Sequence, residues 1–330
     1  MYLSVAKRPI KLLKEPLLFW EFYIGLPVRI LKLKIFGIKD RKLKLGKRRM
    51  VSMERANDLI YEGLMSDKPF ALMRNGSVEC FVALNKIFID LGVRHGYSGR
   101  VLYSGRVAAG IFPASKEVAD KFSQAYLDAM TQADLAVYWR GVAMCEKYFL
   151  RKYSKDAVII PSRSLEPLSF NRPWSLALKN KKVLVIHHLA DTIEKQYLNR
   201  DKLFKNPDIL PEFKLKTIKA VQSSADNQDC GFDSWVDALE YMKKQIDEAD
   251  FDVAILGCGA YAMPLAAYIK RMGKKAVVLG GFTQILFGIK GARWEASRPD
   301  IVALYNDYWV RPDEKDRPKG FDKVEEGAYW

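Results

Sequence analysis

The residue types best suited to chemistry sit at four corners of the 330-residue sequence, most of them glycine-bearing. The first is Arg74-Asn-Gly76-Ser77-Val-Glu79, directly after the apolar run Phe70 to Met73. A strand turning into a helix here puts a helix start, which favours phosphate, beside a glycine that lets backbone approach a ligand. Arg74 can fork onto a carboxylate or pyrophosphate. Glu79, in the first helical turn, can act as a base or hold a metal. The plain alternative is that Arg74 and Glu79 pair with each other as a salt bridge. The second corner is Gly257-Cys-Gly259-Ala-Tyr261-Ala262, after the run Asp252 to Leu256. It has the form G-x-G-x-x-A of a dinucleotide turn. That turn wants an acid at the end of the next strand to hold the ribose. The next run ends Val277-Val-Leu-Gly-Gly281 with no acid, so NAD is not expected. A nucleotide or phosphate at the turn is the functional reading; close helix–strand packing through small residues is the structural one.

The third corner runs from Gly280-Gly-Phe-Thr-Gln284 to Arg293-Trp294. Its amide, cation and aromatic face suit a sugar or base pocket, since amides read hydroxyls and aromatic faces stack. A glycine-rich connector with a core Trp is the alternative. The fourth is His187-His188 at the end of an apolar run, holding two of the three histidines. Histidine is the natural acid or base near neutral pH. Adjacent strand residues point to opposite faces, so at most one of the pair is expected to face a site. No G-x-S-x-G and no P-loop occurs, and the four cysteines form no C-x-x-C pair. Serine hydrolysis, P-loop chemistry and a structural zinc site therefore have no support.

These corners need elements to hold them. Ser52 to Met65 has helical spacing with Ser52 as N-cap, and Val78 to Leu91 is helical. Val101 to Tyr103 reads as a short strand, and Ser115 to Thr131 as a helix capped by Ser115. Leu135 to Trp139, Ala157 to Ile160, Lys182 to Ile186, Leu215 to Val221, Phe251 to Leu256 and Lys275 to Leu279 read as strands. Asp191 to Phe204, Asp233 to Ala249 and Ala262 to Met272 read as helices. Strands alternating with helices predict an α/β, Rossmann-like layered fold on a mainly parallel sheet. The proline-rich passage 161–173 is the candidate internal boundary, and residues 311–330 read as a polar tail.

Apolar residues make up 49% of the chain, which excludes wholesale disorder. Net charge is +15, and residues 1–50, with 14 Lys/Arg against 3 Asp/Glu, carry most of it. A nucleic-acid enzyme spreads basic charge over its working face, so nucleic acid is not an expected partner. Pro16 to Val28 is apolar but is broken by Glu21 and Pro27, too short to span a bilayer. Aromatic and aliphatic residues flanked by lysines suit the plane of an anionic membrane surface, at roughly 1 kcal/mol per basic residue. The alternative is a basic arm that packs on the body or docks a protein. Scattered cysteines favour a reducing compartment. The expected location is cytoplasmic, peripheral at the inner face of the cell membrane.

The loop Arg74-x-Gly76-x-x-Glu79 with the later glycine turn resembles the GT-D-type glycosyltransferases of bacterial polysaccharide and glycoprotein glycan assembly. Their R-x-G-D-G-E loop serves a nucleotide-sugar and its metal. Their G-P-T-A-x-x-L-A turn is similar to Gly259-Ala-Tyr-Ala262-Met-Pro-Leu265-Ala266, and a closing Trp is echoed by Trp294. Ser77 stands where the family has Asp, and Val278 and Gly281 stand where it has Asp and His. The resemblance implies a GT-D-like catalytic domain over 51–310. It implies a nucleotide-sugar donor held by Arg74, Gly76, Ser77, Gly257, Gly259, Tyr261, Gln284, Arg293 and Trp294. It also implies Mn²⁺ or Mg²⁺ at Glu79, a lipid-linked or surface-glycan acceptor, and Glu79, His187 or His188 as the catalytic group. Other readings are a non-catalytic or regulatory protein of the same assembly, or a nucleotide-dependent enzyme of another class.

Overall fold

In a computed structural model, residues 9–25, 27–28, 31, 44–45, 48–139, 145–225, 230–317, 320–321 and 327 are described. Seven strands form one sheet: β1 (Phe70–Arg74), β2 (Leu135–Tyr138), β3 (Val158–Pro161), β4 (Lys182–His187), β5 (Lys214–Lys219), β6 (Val253–Gly257) and β7 (Lys275–Val278). Their order is β3-β2-β1-β7-β6-β4-β5, and every pairing is parallel. A parallel sheet is covered on both faces, so its strands read as unbroken apolar runs. β6 is buried along its whole length, and β4 everywhere but at Lys182. Alternate residues feed two cores. Ala71, Met73, Leu184, Ile186, Ala254 and Leu256 face one layer. Phe70, Leu72, Val183, Val185, Val253 and Ile255 face the other. Edge strand β5 points lysines to solvent, which discourages pairing with another chain.

Besides four short helices (Pro9–Leu12, Pro16–Trp20, Arg200–Leu203 and Pro299–Val302), the described residues form α1 (Met53–Met65), α2 (Ser77–Asp90), α3 (Gly99–Ala109), α4 (Lys116–Met130), α5 (Glu146–Lys152), α6 (Ala190–Tyr197), α7 (Trp235–Asp247), α8 (Ala262–Arg271), α9 (Phe282–Leu286) and α10 (Ala292–Ser297). α2, α4, α7 and α8 supply buried side chains to the first layer, α1, α6 and α9 to the second. The helical readings from Ser52, Ser115, Asp233 and Ala262 hold. Val101 to Tyr103 is helical, not a strand: it lies in α3, where the Ser98 hydroxyl accepts from Val101 N at 3.4 Å. A three-residue apolar window is too short to distinguish a period of 2 from one of 3.6.

The proline-rich passage forms successive 3-10 turns on the crossover from β3 to β4. Trp174 is fully buried there, and its backbone N–H donates to the Asn57 amide oxygen at 2.7 Å. The start of the tail lies against the sheet end, where Lys315 pairs with Asp191 and Asp316 with Lys219. In the N-terminal segment Leu12, Leu18 and Phe22 are buried in the first core layer, Phe22 meets Phe88 edge-on, and Glu15 pairs with Lys152. One side of this segment therefore packs on the body. Leu13, Trp20, Ile24, Val28 and Leu31 remain exposed. Among the described residues no helix is long and apolar enough to cross a membrane.

Candidate functional site

The connection after β4 leads through α6 to its outer neighbour β5; that after β6 leads through α8 back to β7. Adjacent strands whose crossovers diverge open a crevice at their carboxyl ends. His187 and Gly257, the last residues of β4 and β6, are register partners at that point. A cavity of about 450 Å³ lies there, inside the ~300–1,000 Å³ range of small-molecule sites. The first corner (Arg74 to Glu79) and the second (Gly257 to Met263) both line it, with both histidines and Arg293. The two glycine corners, far apart in sequence, thus share one hollow.

Two helices begin at this hollow. α2 starts at Gly76 and α8 follows the 3-10 turn Gly259–Tyr261, and neither has a side-chain cap. First-turn N–H groups have no partner within their own helix, and the helix dipole adds partial positive charge. Gly76 N–H donates to the Tyr126 hydroxyl at 3.0 Å, which pins the loop. The Glu79 carboxylate folds back so closely over Gly76 that a side chain there would collide with it. Ser77 is exposed at the rim. A side chain at Gly280 would collide with Arg74 Nη1, and Gly280 has φ +64°, so this position favours glycine on two counts. Arg74 also lies over the Trp139 ring at 4.3 Å. Gly257 has the same logic of close approach: a Cβ there would press on His187, Thr283 and Gly280.

The expectation that only one histidine reaches the site is corrected. The two rings stack at 4.4 Å and both line the cavity. β4 ends at His187, so strand alternation no longer governs His188. His187 Nδ1 accepts from Leu189 N–H at 3.0 Å, which places the ring proton on Nε2. Burial and the neighbouring His188 hold the His187 pKa well below its ordinary value. Burial and the charge of Lys219 bring His188 down to about 4. Both are neutral at pH 7, and His187 offers a donor rather than a base. Among the described residues Glu79 is the sole carboxylate lining the cavity. Burial raises the pKa of Cys258, so its thiol stays protonated.

Gln284 does not reach the cavity. It is fully buried, and its amide donates to Lys290 O at 2.6 Å, holding the turn after α9. Tyr261 lines the cavity, but its ring stacks on Trp235 at 5.4 Å and its hydroxyl meets Ser223 Oγ at 2.8 Å. Trp294 lines a second hollow of about 180 Å³, which shares Arg74, Gly281 and Arg293 with the first. Trp139, Glu166 and Arg298, not singled out from sequence, also line it. Their signal was position: Trp139 directly follows β2 at the carboxyl end of the sheet. The indole nitrogens of Trp139 and Trp294 are buried with no hydrogen-bond partner among the described residues. A buried donor left in that state costs ~1–3 kcal/mol.

Mn²⁺ or Mg²⁺ prefers oxygen ligands. Among the described residues the cavity offers one carboxylate and two neutral imidazoles, and no group of three or more His, Cys, Asp or Glu could hold a metal. The described side chains by themselves do not fit a metal centre. No family model, no curated protein and no solved structure matches the chain.

Proposed function

We propose that the protein is a glycosyltransferase that takes a sugar from a nucleotide-sugar and passes it to a glycan acceptor. One observation carries this reading: the uncapped start of α2, the uncapped 3-10 turn Gly259–Tyr261 that leads into α8, and the guanidinium of Arg74 border a single cavity at the switch point of a parallel sheet. That combination suits the two charges of a diphosphate. The first turn of α2 and the Gly259 and Ala260 N–H groups at the start of the 3-10 turn bind its oxygens, and Arg74 supplies the countercharge to the leaving nucleoside diphosphate. Glu79, the only acid among the described residues of the hollow, takes the proton from the attacking acceptor hydroxyl as the sugar's anomeric carbon changes partners. His187 donates through Nε2–H to an acceptor atom of the ligand. A lipid-linked acceptor would be met at the N-terminal segment, whose exposed Leu13, Trp20 and Ile24 stand in the most basic part of the chain. Anchoring there raises the effective concentration of a membrane-bound acceptor.

Thermal unfolding in the presence of UDP-, GDP- and ADP-sugars tests the reading. One of them, at 100 times its Kd, is expected to add about 2.7 kcal/mol of stability. Transfer to an acceptor should then be lost in Glu79→Gln while ligand-induced stabilisation persists. Stabilisation by none of the panel sinks the proposal, and full transfer by Glu79→Gln removes Glu79 from it.

A further inference from the structure

We infer that the large cavity takes its nucleotide in one orientation: diphosphate at the β1 side, ribose and base at the β5 side, against the wall formed by 220–224. This rests on the glycosyltransferase reading of that cavity and deepens it. The lining follows five strand ends, in the spatial order β1, β7, β6, β4, β5. Neighbouring strands lie ~4.8 Å apart, so the cavity reaches about 19 Å from Arg74 to Ala220. That is too long for a pyrophosphate alone and suits an extended nucleotide.

Charge is sorted along this length. Among the described residues the lysines and arginines of the lining are Arg74 and Arg293, and both also line the second hollow, beside Trp139 after β2 and Leu279 after β7. They therefore stand at the β1 side, as does Glu79, whose carboxylate folds over Gly76. At the β5 side the stretch 220–230 contains no Lys or Arg. Lys219, the last residue of β5, pairs with Asp191 and Asp316 and does not line the cavity. Arg106 is turned into the wall, donating to Ser223 O and Ala225 O at 3.0 Å each. An uncharged group is what this end takes without stranding a charge. The wall is also fixed in place. The ladder to β4 ends where Ala220 N–H donates to His187 O at 3.1 Å. Beyond it Ser223 Oγ donates to Gly110 O at 2.8 Å, and Ala225 N–H donates to Val107 O at 2.8 Å. Small side chains at Ala108, Ala109 and Ala220 keep this end of the cavity open. The orientation leaves the donor sugar beyond the diphosphate, on the side of Glu79, the group proposed to take the acceptor's proton.

The test is calorimetry on the full chain with inorganic pyrophosphate and with UDP, GDP and ADP. At least one of these nucleotides should bind at least tenfold more tightly than pyrophosphate. Ala108→Trp fills the β5 side from an exposed position, and Val221→Phe fills it from the wall. Each should weaken that nucleotide at least tenfold and leave pyrophosphate within twofold, whereas Arg74→Gln should weaken both ligands. In wild type carrying ¹³C-methyl alanine, the Ala108 and Ala220 signals, assigned with Ala108→Ser and Ala220→Ser, should move with the nucleotide and stay with pyrophosphate. If the filled variants do not fold, these signals decide alone. The inference is overturned if folded Ala108→Trp and Val221→Phe bind the nucleotide as wild type does, if both methyl signals ignore it at saturation, or if no nucleotide outbinds pyrophosphate. A nucleotide that binds in the first two cases leaves the glycosyltransferase reading standing and removes only the orientation. If neither pyrophosphate nor any nucleotide binds, that reading falls together with the inference.

Discussion

Among the described helices of ten residues or more, two kinds of beginning stand side by side. α1, α3, α4 and α7 open on Ser52, Ser98, Ser115 and Ser234, and each hydroxyl accepts a backbone N–H of its own first turn. α2 and α8 open at Gly76 and after Tyr261, with no side-chain cap. The capped starts lie away from the large cavity; the bare ones border it. A serine cap satisfies the orphan donors from within the chain. The bare start of α2 beside a cavity leaves them to whatever enters, whereas at α8 the preceding 3-10 turn already takes the Ala262 N–H and leaves those of Gly259 and Ala260. The same end of the sheet buries two neutral histidines and an arginine packed on Trp139. Four helix starts are thus finished from within the chain, and those at the cavity are left open for a ligand.

The largest expected effect that probes this contrast is acid lability from the cavity end. His188 titrates near 6.5 when unfolded and near 4 when folded. Above pH 6.5 it is neutral in both states. Below that the unfolded chain takes the proton first, so stability falls by about 3 kcal/mol in going down to pH 4. Urea midpoints measured across that range should fall in wild type and fall less in His188→Asn, which keeps the contribution of buried His187. Equal slopes in the two proteins would remove His188 as a cause.

Next in size is Arg74→Gln. Losing a charge-assisted contact should weaken diphosphate binding by about 10- to 100-fold, from ~1.5–3 kcal/mol, as read by calorimetry. Ser115→Ala works at the capped end. It should cost about 1 kcal/mol of stability and leave ligand affinity alone; a matching loss of affinity would erase the distinction between the two ends. Gly76→Ser is the smallest and sharpest change. It offers α2 the cap it lacks, at the price of pushing aside the flexible Glu79 carboxylate. Stability should stay within about 0.5 kcal/mol, since glycine is only a few tenths worse than serine as a cap. Diphosphate affinity should drop severalfold, because the new hydroxyl competes for the same N–H groups.

How far the sequence could be read varied with the length of the signal. Runs such as Val183 to Ile186 and Val253 to Leu256 announce buried parallel strands, because both sheet faces demand apolar residues. Capping serines announce helix starts, because the cap is a contact within three residues. Val101 to Tyr103 misled, being too short to show its period. In the site, Arg74, Gly76, Gly257 and Gly259 were legible, since a cation or a glycine at a strand end has few other uses. Gln284 looked equally chemical but spends its amide on Lys290. The stacking of His187 on His188 depends on where β4 stops pairing, which a strand pattern shows only to within a residue or two.

By itself the sequence determined the alternation of strands and helices, the basic N-terminal segment and the glycines at the corners, because each is a local preference of backbone or side chain. Only the tertiary structure decided that β1, β4 and β6 lie close enough for Arg74, His187 and Gly257 to share a cavity. It alone set Trp139 and Trp294 around a second hollow and split the N-terminal segment into a buried and an exposed side. These are outcomes of strand order and layer packing. They depend on contacts between residues far apart in the chain, and no local pattern encodes such distances.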